Sequence, residues 1–442
     1  MWPNDNSSLL SILFFVAVYG WLVSKGSSFI AHGSEILSTI LPAKFVGSFL
    51  VPIFGAFPDC AIIFIACFWS PPEDVVNDVQ VSIGLLVGST ALLLCIAYAA
   101  TIWIGRCDLL HDYIPNRKTA MDNECNGISF GSRQGIEINR ATQHVSVWMI
   151  CTCFSFPIIS GVTAFVNRSH KEEDLFGELR MFYFVSIVCL FLIFTLFLLY
   201  CSICDENSTK LSFSLREKVL LNKTVKLMLK GKGSDLSTNP LNVDEVALEI
   251  AQKWRSKVQK HSIRSPLLAS ATPSSVPLSN NRGKSLTLFS GFGFILFGVT
   301  IVILFSDAIV ESFKNFGGYF NVPPFFVSFV LGPLASNLSE VITGFYFARK
   351  KTSEQSSLSV SSFFGAVVMN NTLCFGVLML SLYQHQIAFK FYAETICLFS
   401  LELIVGLLGL SRIQTMLGAV FKFLLYFVVL FVFFFLSSFV FV

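Results

Sequence analysis

Charge is what this sequence has little of. Of its 442 residues only 13% are Asp, Glu, Lys or Arg, about half the share of an average soluble domain. So few ionic groups cannot build a water-facing skin, which excludes a soluble globular chain. The formal net charge of +3 says little about partners, because in a membrane chain charge matters by side; no nucleic-acid partner and no enzymatic chemistry are expected. A disulfide framework is missing as well. Most of the 12 cysteines, among them Cys60, Cys67, Cys95, Cys151, Cys153, Cys189, Cys374 and Cys397, sit inside apolar stretches and read as small hydrophobes. Cys201 and Cys204 have the spacing of a redox or metal pair but lack a second pair. The first apolar stretch has neither a basic flank nor a small-residue cleavage site, so it is kept as a span rather than a signal peptide.

What remains is apolar. Hydrophobic residues make up 54% of the chain, 48 of them Phe, and mean hydropathy is +0.68. They fall in blocks that reach or pass the ~20 residues a bilayer requires. The blocks predict an all-α polytopic membrane protein of about ten transmembrane helices, near 9–31, 42–68, 81–105, 144–166, 180–203, 287–311, 322–348, 359–383, 389–410 and 417–440. Five precede the longest loop and five follow it. The chain thus divides into an N-terminal half (1–203), a cytosolic loop (204–286) and a C-terminal half (287–442). Lys and Arg concentrate on the side of that loop, while the opposite side carries only Arg168, Lys171, Arg180, Lys314 and Lys390. Both termini are therefore expected outward or in a lumen, and an odd number of spans per half makes two inverted-topology five-helix repeats. Within the loop, Val246, Ile250, Trp254 and Val258 recur every fourth residue as an amphipathic helix, 211–230 is basic, and the Ser/Pro tract containing Ser265-Pro266 reads as disordered and a phosphorylation candidate.

The halves also match in sequence. At a constant offset of 281, Pro42 meets Pro323, Phe45 meets Phe326, Val46 meets Val327, Pro52 meets Pro333 and Asp59 meets Glu340. The register continues, so that Gly84 meets Gly365 and Ser89-Thr90 meets Asn370-Asn371. These segments are the two repeats, 42–105 and 322–383. An ionised carboxylate deep in a bilayer costs several kcal/mol unless hydrated, paired or bound to a cation. One acid from each half gives minus two, which suits a dehydrated divalent ion. Ca²⁺ takes about six to eight oxygens in adaptable geometry, and Ser336, Asn337, Ser339, Asn370, Asn371, Ser89 and Thr90 supply hydroxyls and amides nearby. Pro52, Gly55 and Pro58, like Gly332 and Pro333, are expected to interrupt the helices just ahead of each acid and free carbonyls toward a cavity.

Other charges read more plainly. Lys44 starts a span and reaches for the interface; Glu35 and Asp307 lie near span ends as solvated or vestibule acids. Glu394 and Glu402, eight apart, share a helix face as a packed polar seam. His144 and His385 are interfacial, and the sequons at Asn6 and Asn167 lie close to spans.

The segments GSFLVPIFGAFPDCAII, FVSFVLGPLASNLSEVITGFYFARKK and GAVVMNNTLC resemble the two alpha repeats of the sodium/calcium exchanger superfamily, most nearly its plant-type members with EF-hands in the central loop. The likeness covers residues 20–410. It implies ten helices in two inverted halves and export of Ca²⁺ from the cytosol against H⁺ or Na⁺, with Asp59 and Glu340 as metal ligands and the hydroxyls and amides above completing the site. No resident cofactor is implied; the lipid bilayer and the transported cations are the partners. A vacuolar or other endomembrane site is favoured, with the plasma membrane as the alternative. Two departures stand out. The loop carries no D-x-D-x-D-G array, so no EF-hand is readable, and Ala56, Phe57 and Leu85 stand where oxygen-bearing side chains are expected. The alternatives are transport of another divalent ion, Mg²⁺ or Mn²⁺, and a transport-inactive scaffold or sensor.

Overall fold

A computed structural model describes residues 9–38, 51–71, 73–108, 134–169, 177, 179–201 and 281–440. The readings made for Pro42, Lys44, Phe45, Val46, Asn6, Cys204 and the loop segments between 211 and 280 lie outside these residues. The described chain is mostly helical. In order it forms α1 (Leu9–Ser38), α2 (Val51–Phe68), α3 (Val75–Gly105), α4 (Arg140–Arg168) and α5 (Leu179–Cys201). After the loop come α6 (Asn281–Phe320), α7 (Pro324–Ser336), α8 (Leu338–Ala348), α9 (Ser353–His385), α10 (Tyr392–Gly409) and α11 (Met416–Val440).

Eight of these are long and apolar enough to cross a membrane, and the bent pair α7–α8 makes a ninth. The expected second span appears as a shorter apolar stretch, Ala56–Phe68. The protein is therefore an integral, multi-pass membrane protein. Helices α3 and α9 are mostly buried and form the centre, whereas α1, α5, α6, α10 and α11 leave much of their apolar surface outward, for instance at Phe14, Leu192, Phe289, Leu407 and Phe431. Such faces suit lipid, because hydrocarbon needs no polar covering.

Three features depart from the sequence reading. Helix α6 runs 40 residues, well past the expected end near 311, because nothing breaks it before Gly317-Gly318. Asp307 and Glu311 consequently sit within a helix, and Lys314 pairs with Glu311 at 2.9 Å and with buried Asp78 of α3 at 3.0 Å. Second, a small antiparallel sheet ties loop ends together: β1 (Cys107–Asp108), β2 (Gln134–Glu137) and β3 (Ile413–Thr415), with Gly135 opposite Thr415. Strands of two to four residues are too short to show a periodicity. Third, α3 and α9 each contain a π-helical stretch, Leu92–Ala97 and Asn370–Cys374, in corresponding parts of the two repeats. Such bulges gather at functional sites.

Packing of α3 on α7 brings the two halves into close backbone contact. The Cα atoms of Gly84 and Gly88 face the backbone of Phe325 and Phe329 so closely that a methyl at Gly88 would meet the Phe329 carbonyl oxygen. Glycine here permits the approach that carries Ser89 to the end of α7. The Gly88→Ala variant should therefore lose about 1–3 kcal/mol, the usual cost of overpacking, read as a lower melting temperature of the purified protein in detergent. A wild-type melting temperature would contradict the close approach.

Candidate functional site

The site begins with a break. Helix α7 contains Pro333, which has no N–H to donate and crowds the carbonyl four residues back. The chain turns by 58° between α7 and α8, and the residue at the corner is Asn337, with φ −101° and ψ 2°. The expected interruption is thus present, one turn beyond Pro333. Its counterpart is not: α2 continues through Pro58 without a break. A single missing N–H and one clash are tolerated when neighbouring helices hold the segment, and Pro58 is buried.

Asn337 reaches across the halves. Its Nδ2 donates to Ser89 Oγ at 2.8 Å and lies 3.4 Å from Asp59 Oδ2, while also contacting Ser336 Oγ at 3.2 Å. The hydroxyls of Ser336 and Ser89 stand beside the same carboxylate. Asp59, Ser89, Ser336 and Asn337 are all buried. Glu340 lies in the first turn of α8, where the helix dipole favours an acid; it is half-buried, and it stands near enough to Asp59 to feel its charge. On the next residue of α3, Thr90 Oγ1 receives Asn370 Nδ2 at 3.4 Å. Asp59 Oδ1 and Glu340 Oε2 are buried and have no hydrogen-bond partner. Two such oxygens, two carboxylates and surrounding hydroxyls and amides are chemically a cation site, since a buried anion without a counter-charge is strongly disfavoured. Among the described residues no three His, Cys, Asp or Glu converge, so the centre offers two carboxylates and otherwise neutral oxygens.

A sulfur pair borders the cluster. Cys60 Sγ, on the residue after Asp59, lies 3.0 Å from Cys374 Sγ at the end of the α9 π turn, and both thiols are free. Leu85, found where an oxygen ligand is expected, packs its side chain against Gly332, so this wall of the site is apolar.

The profile of the family described as sodium/calcium exchanger protein matches residues 290–435. Curated relatives include the sodium/calcium exchanger NCL1 of Oryza sativa subsp. japonica, 25% identical across 91% of this chain and 80% of the relative. The sodium/calcium exchanger NCL of Arabidopsis thaliana is 22% identical across 92% and 81%. Among solved structures, the H⁺/Ca²⁺ exchanger CAX shares the fold with a TM-score of 0.58 at 13% identity, covering 95% of this chain and 82% of that one. Native YfkE gives 0.54 at 12%, covering 94% and 90%. Residues 290–435 thus match the sodium/calcium exchanger family, and most of the chain is similar to plant sodium/calcium exchangers. The superfamily consists of transporters.

Set against the superfamily resemblance, the structure brings together Asp59, Glu340, Ser89, Ser336 and Asn337, while Thr90, next to Ser89, pairs with Asn370. Ser339 is half-buried, and its carbonyl oxygen accepts the Thr343 hydroxyl at 2.8 Å. Asn371 is not in this cluster. Its amide instead hydrogen-bonds Glu402 Oε2 on α10 and lies 3.4 Å from Thr152 Oγ1 on α4. In the α9 π turn, consecutive residues point to different neighbours, which an α-helical reading of Asn370-Asn371 does not anticipate. Glu402, read from sequence with Glu394 as a packed polar seam, is fully buried, while Glu394 is half-buried. Lys422, not singled out in sequence, is also buried, with Nζ 3.0 Å from Gln414 Oε1 and 4.4 Å from the Tyr98 ring centroid. A polar residue inside an apolar run was its only signal.

The geometry makes Asn337 the clasp between the halves. Its replacement in Asn337→Leu fills similar space but donates nothing, leaving Asp59 Oδ2 and Ser89 Oγ without that donor. A loss of about 1–3 kcal/mol follows from stranding buried polar groups, detected as a lowered thermal midpoint in detergent. A variant as stable as wild type would show that the amide clasp carries no weight.

Proposed function

We propose that this protein is a secondary active antiporter that carries Ca²⁺ out of the cytosol in exchange for H⁺ or Na⁺ by alternating access. The observation that carries the reading is the Asn337 amide, which sits at the corner between α7 and α8 and reaches Ser89 and Asp59 in the other half. A carboxylate from α2 and another from α8 then share one polar centre at the meeting point of the halves. With both acids ionised the centre carries minus two. A divalent cation neutralises it, and two monovalent cations or two protons do so equally well. Competition for the same oxygens is the whole chemistry of exchange, and no covalent step is needed.

The halves, 1–203 and 287–442, would act as inverted units joined by the 204–286 segment, with repeats 42–105 and 322–383 forming the centre. Rocking of one unit against the other would open the centre to alternate sides. The names of the relatives, sodium/calcium exchangers and an H⁺/Ca²⁺ exchanger, support Ca²⁺ as cargo. We place the protein in a vacuolar or other internal membrane by analogy with the plant relatives.

Purified protein in sealed vesicles should take up ⁴⁵Ca²⁺ when a proton or a sodium gradient is imposed, and the dependence on one gradient names the counter-ion. The variants Asp59→Asn and Glu340→Gln should each reduce uptake to background. Uptake that persists in both removes the two acids from the path. Uptake of Mn²⁺ or Mg²⁺ in place of Ca²⁺ would correct the cargo, and no gradient-driven flux in the wild type would favour a non-transporting role.

A further inference from the structure

Besides Asp59 and Glu340, a third acid lies deep in the helices without a counter-charge. Glu402 on α10 is 0% exposed. Its Oε2 accepts the Asn371 amide, while its Oε1 has no partner. Asn371 is also fully buried, and its own Oδ1 is without a partner. Thr152 Oγ1, from α4, lies 3.4 Å from the same Asn371 amide and is buried. Ser155 Oγ anchors the Asn371 carbonyl at 3.3 Å. Leu398, Leu401 and Val405 of α10 are buried, and the Cys153 thiol of α4 lies near enough to Glu402 to feel its charge. Among the described residues the ion pairs involve Asp78, Glu311 and Glu137, and no Lys or Arg pairs with Glu402.

An intramembrane acid of this kind is retained for a reason, since placing it there costs several kcal/mol. Simple structural satisfaction fits poorly. A carboxylate that served only to hold Asn371 would leave two buried acceptor oxygens, one on each residue, unused. Those oxygens belong to one three-helix junction that also holds the Thr152 hydroxyl. The formal charge of this group of side chains is minus one, half that of the Asp59–Glu340 centre.

We propose that Glu402, Asn371 and Thr152 form a second cation site, built for one monovalent ion and separate from the divalent centre. Charge matching selects the ion class: in a low-dielectric interior an uncompensated unit charge is penalised in either direction, so one carboxylate with neutral amide and hydroxyl oxygens suits Na⁺ or a similar alkali ion. The two centres meet at the α9 π turn. Asn370 faces Thr90 on one side and Asn371 faces Glu402 on the other, so each centre holds one of two adjacent residues. The inference rests on the antiporter reading only for its purpose; the binding site itself stands or falls alone.

The experiment separates the two. In the Asp59→Asn/Glu340→Gln background, where the divalent centre is disabled, purified protein in nanodiscs is titrated with ²²Na⁺, with K⁺ and Li⁺ as competitors. One saturable site is expected, and adding Glu402→Gln should weaken it by at least about tenfold. The single Glu402→Gln variant should still bind ⁴⁵Ca²⁺, whereas Asp59→Asn should not. Sodium binding that is absent in the double-variant background, or unaffected by Glu402→Gln, overturns the site whatever happens to calcium. Should Glu402→Gln lose ⁴⁵Ca²⁺ as well, as a misfolded protein would, Thr152→Val decides: weakened ²²Na⁺ binding in the double-variant background supports the site, and unchanged binding overturns it.

Discussion

A carboxylate inside a bilayer has nowhere inexpensive to go, and the architecture of this protein is organised around that fact. Water is excluded, the effective dielectric is low, and an unpaired negative charge is tolerated only beside hydrogen-bond donors or a cation. Asp59 answers with Asn337, Ser89 and Ser336; Asp78 answers with Lys314 and with Ser70, whose hydroxyl lies 2.6 Å away; Glu402 answers with Asn371. The three solutions differ in what they leave over. Asp78 has a full counter-charge and reads as a structural tie between α3 and α6. Asp59, Glu340 and Glu402 have only neutral donors or none, and each keeps a bare oxygen. The acids that lack a fixed positive partner are the ones able to accept a mobile one.

Backbone geometry then decides where those oxygens point. The break at Asn337 turns a side chain that would otherwise follow the helix face into a bridge between halves. The π turn Asn370–Cys374 does the same for α9, aiming Asn370 toward α3 and Asn371 toward α4 and α10. Close backbone contact at Gly84 and Gly88 holds α3 against α7, so that Ser89 lies within hydrogen-bonding reach of the corner. Irregular backbone at membrane depth is permissible only where protein covers it, and here the buried helices α3 and α9 hold the π stretches among neighbours rather than against lipid.

Much of the centre was legible in the sequence because duplication leaves a register. The offset that aligns Pro52 with Pro333 and Asp59 with Glu340 singles out the two acids and the Ser and Asn residues that follow, and the Gly332-Pro333 pair forecasts a bend. The same logic misled at Pro58, where a proline identical in kind leaves α2 continuous; a proline removes a hydrogen bond, but neighbouring packing decides whether the helix then bends. The π turns carried no composition signal at all, so Asn370 and Asn371 read as one pair when the fold divides them. The sequence placed Glu402 in a packed polar seam but could not name its partner. An acid in an apolar helix looks the same in sequence whether its face meets lipid headgroups or the α4–α9–α10 junction, and only tertiary packing distinguishes the two.

That division has a consequence for exchange. A single centre of minus two can hold a divalent ion or two monovalent charges, but never both kinds at once without excess positive charge. If a monovalent ion also has a place at Glu402, outside the competing centre, then the two ion classes need not exclude one another completely. The link between them is short: Asn370 and Asn371 are adjacent in a π turn whose hydrogen-bond ladder is already irregular. Drawing Asn371 toward an ion at Glu402 would move the peptide that also carries Asn370, and with it the contact to Thr90 beside Ser89. Coupling of this kind requires no long path through the protein, only that one short turn accept two arrangements, and its sign is set by whether the arrangement favoured at Glu402 brings Asn370 nearer to the divalent centre or withdraws it.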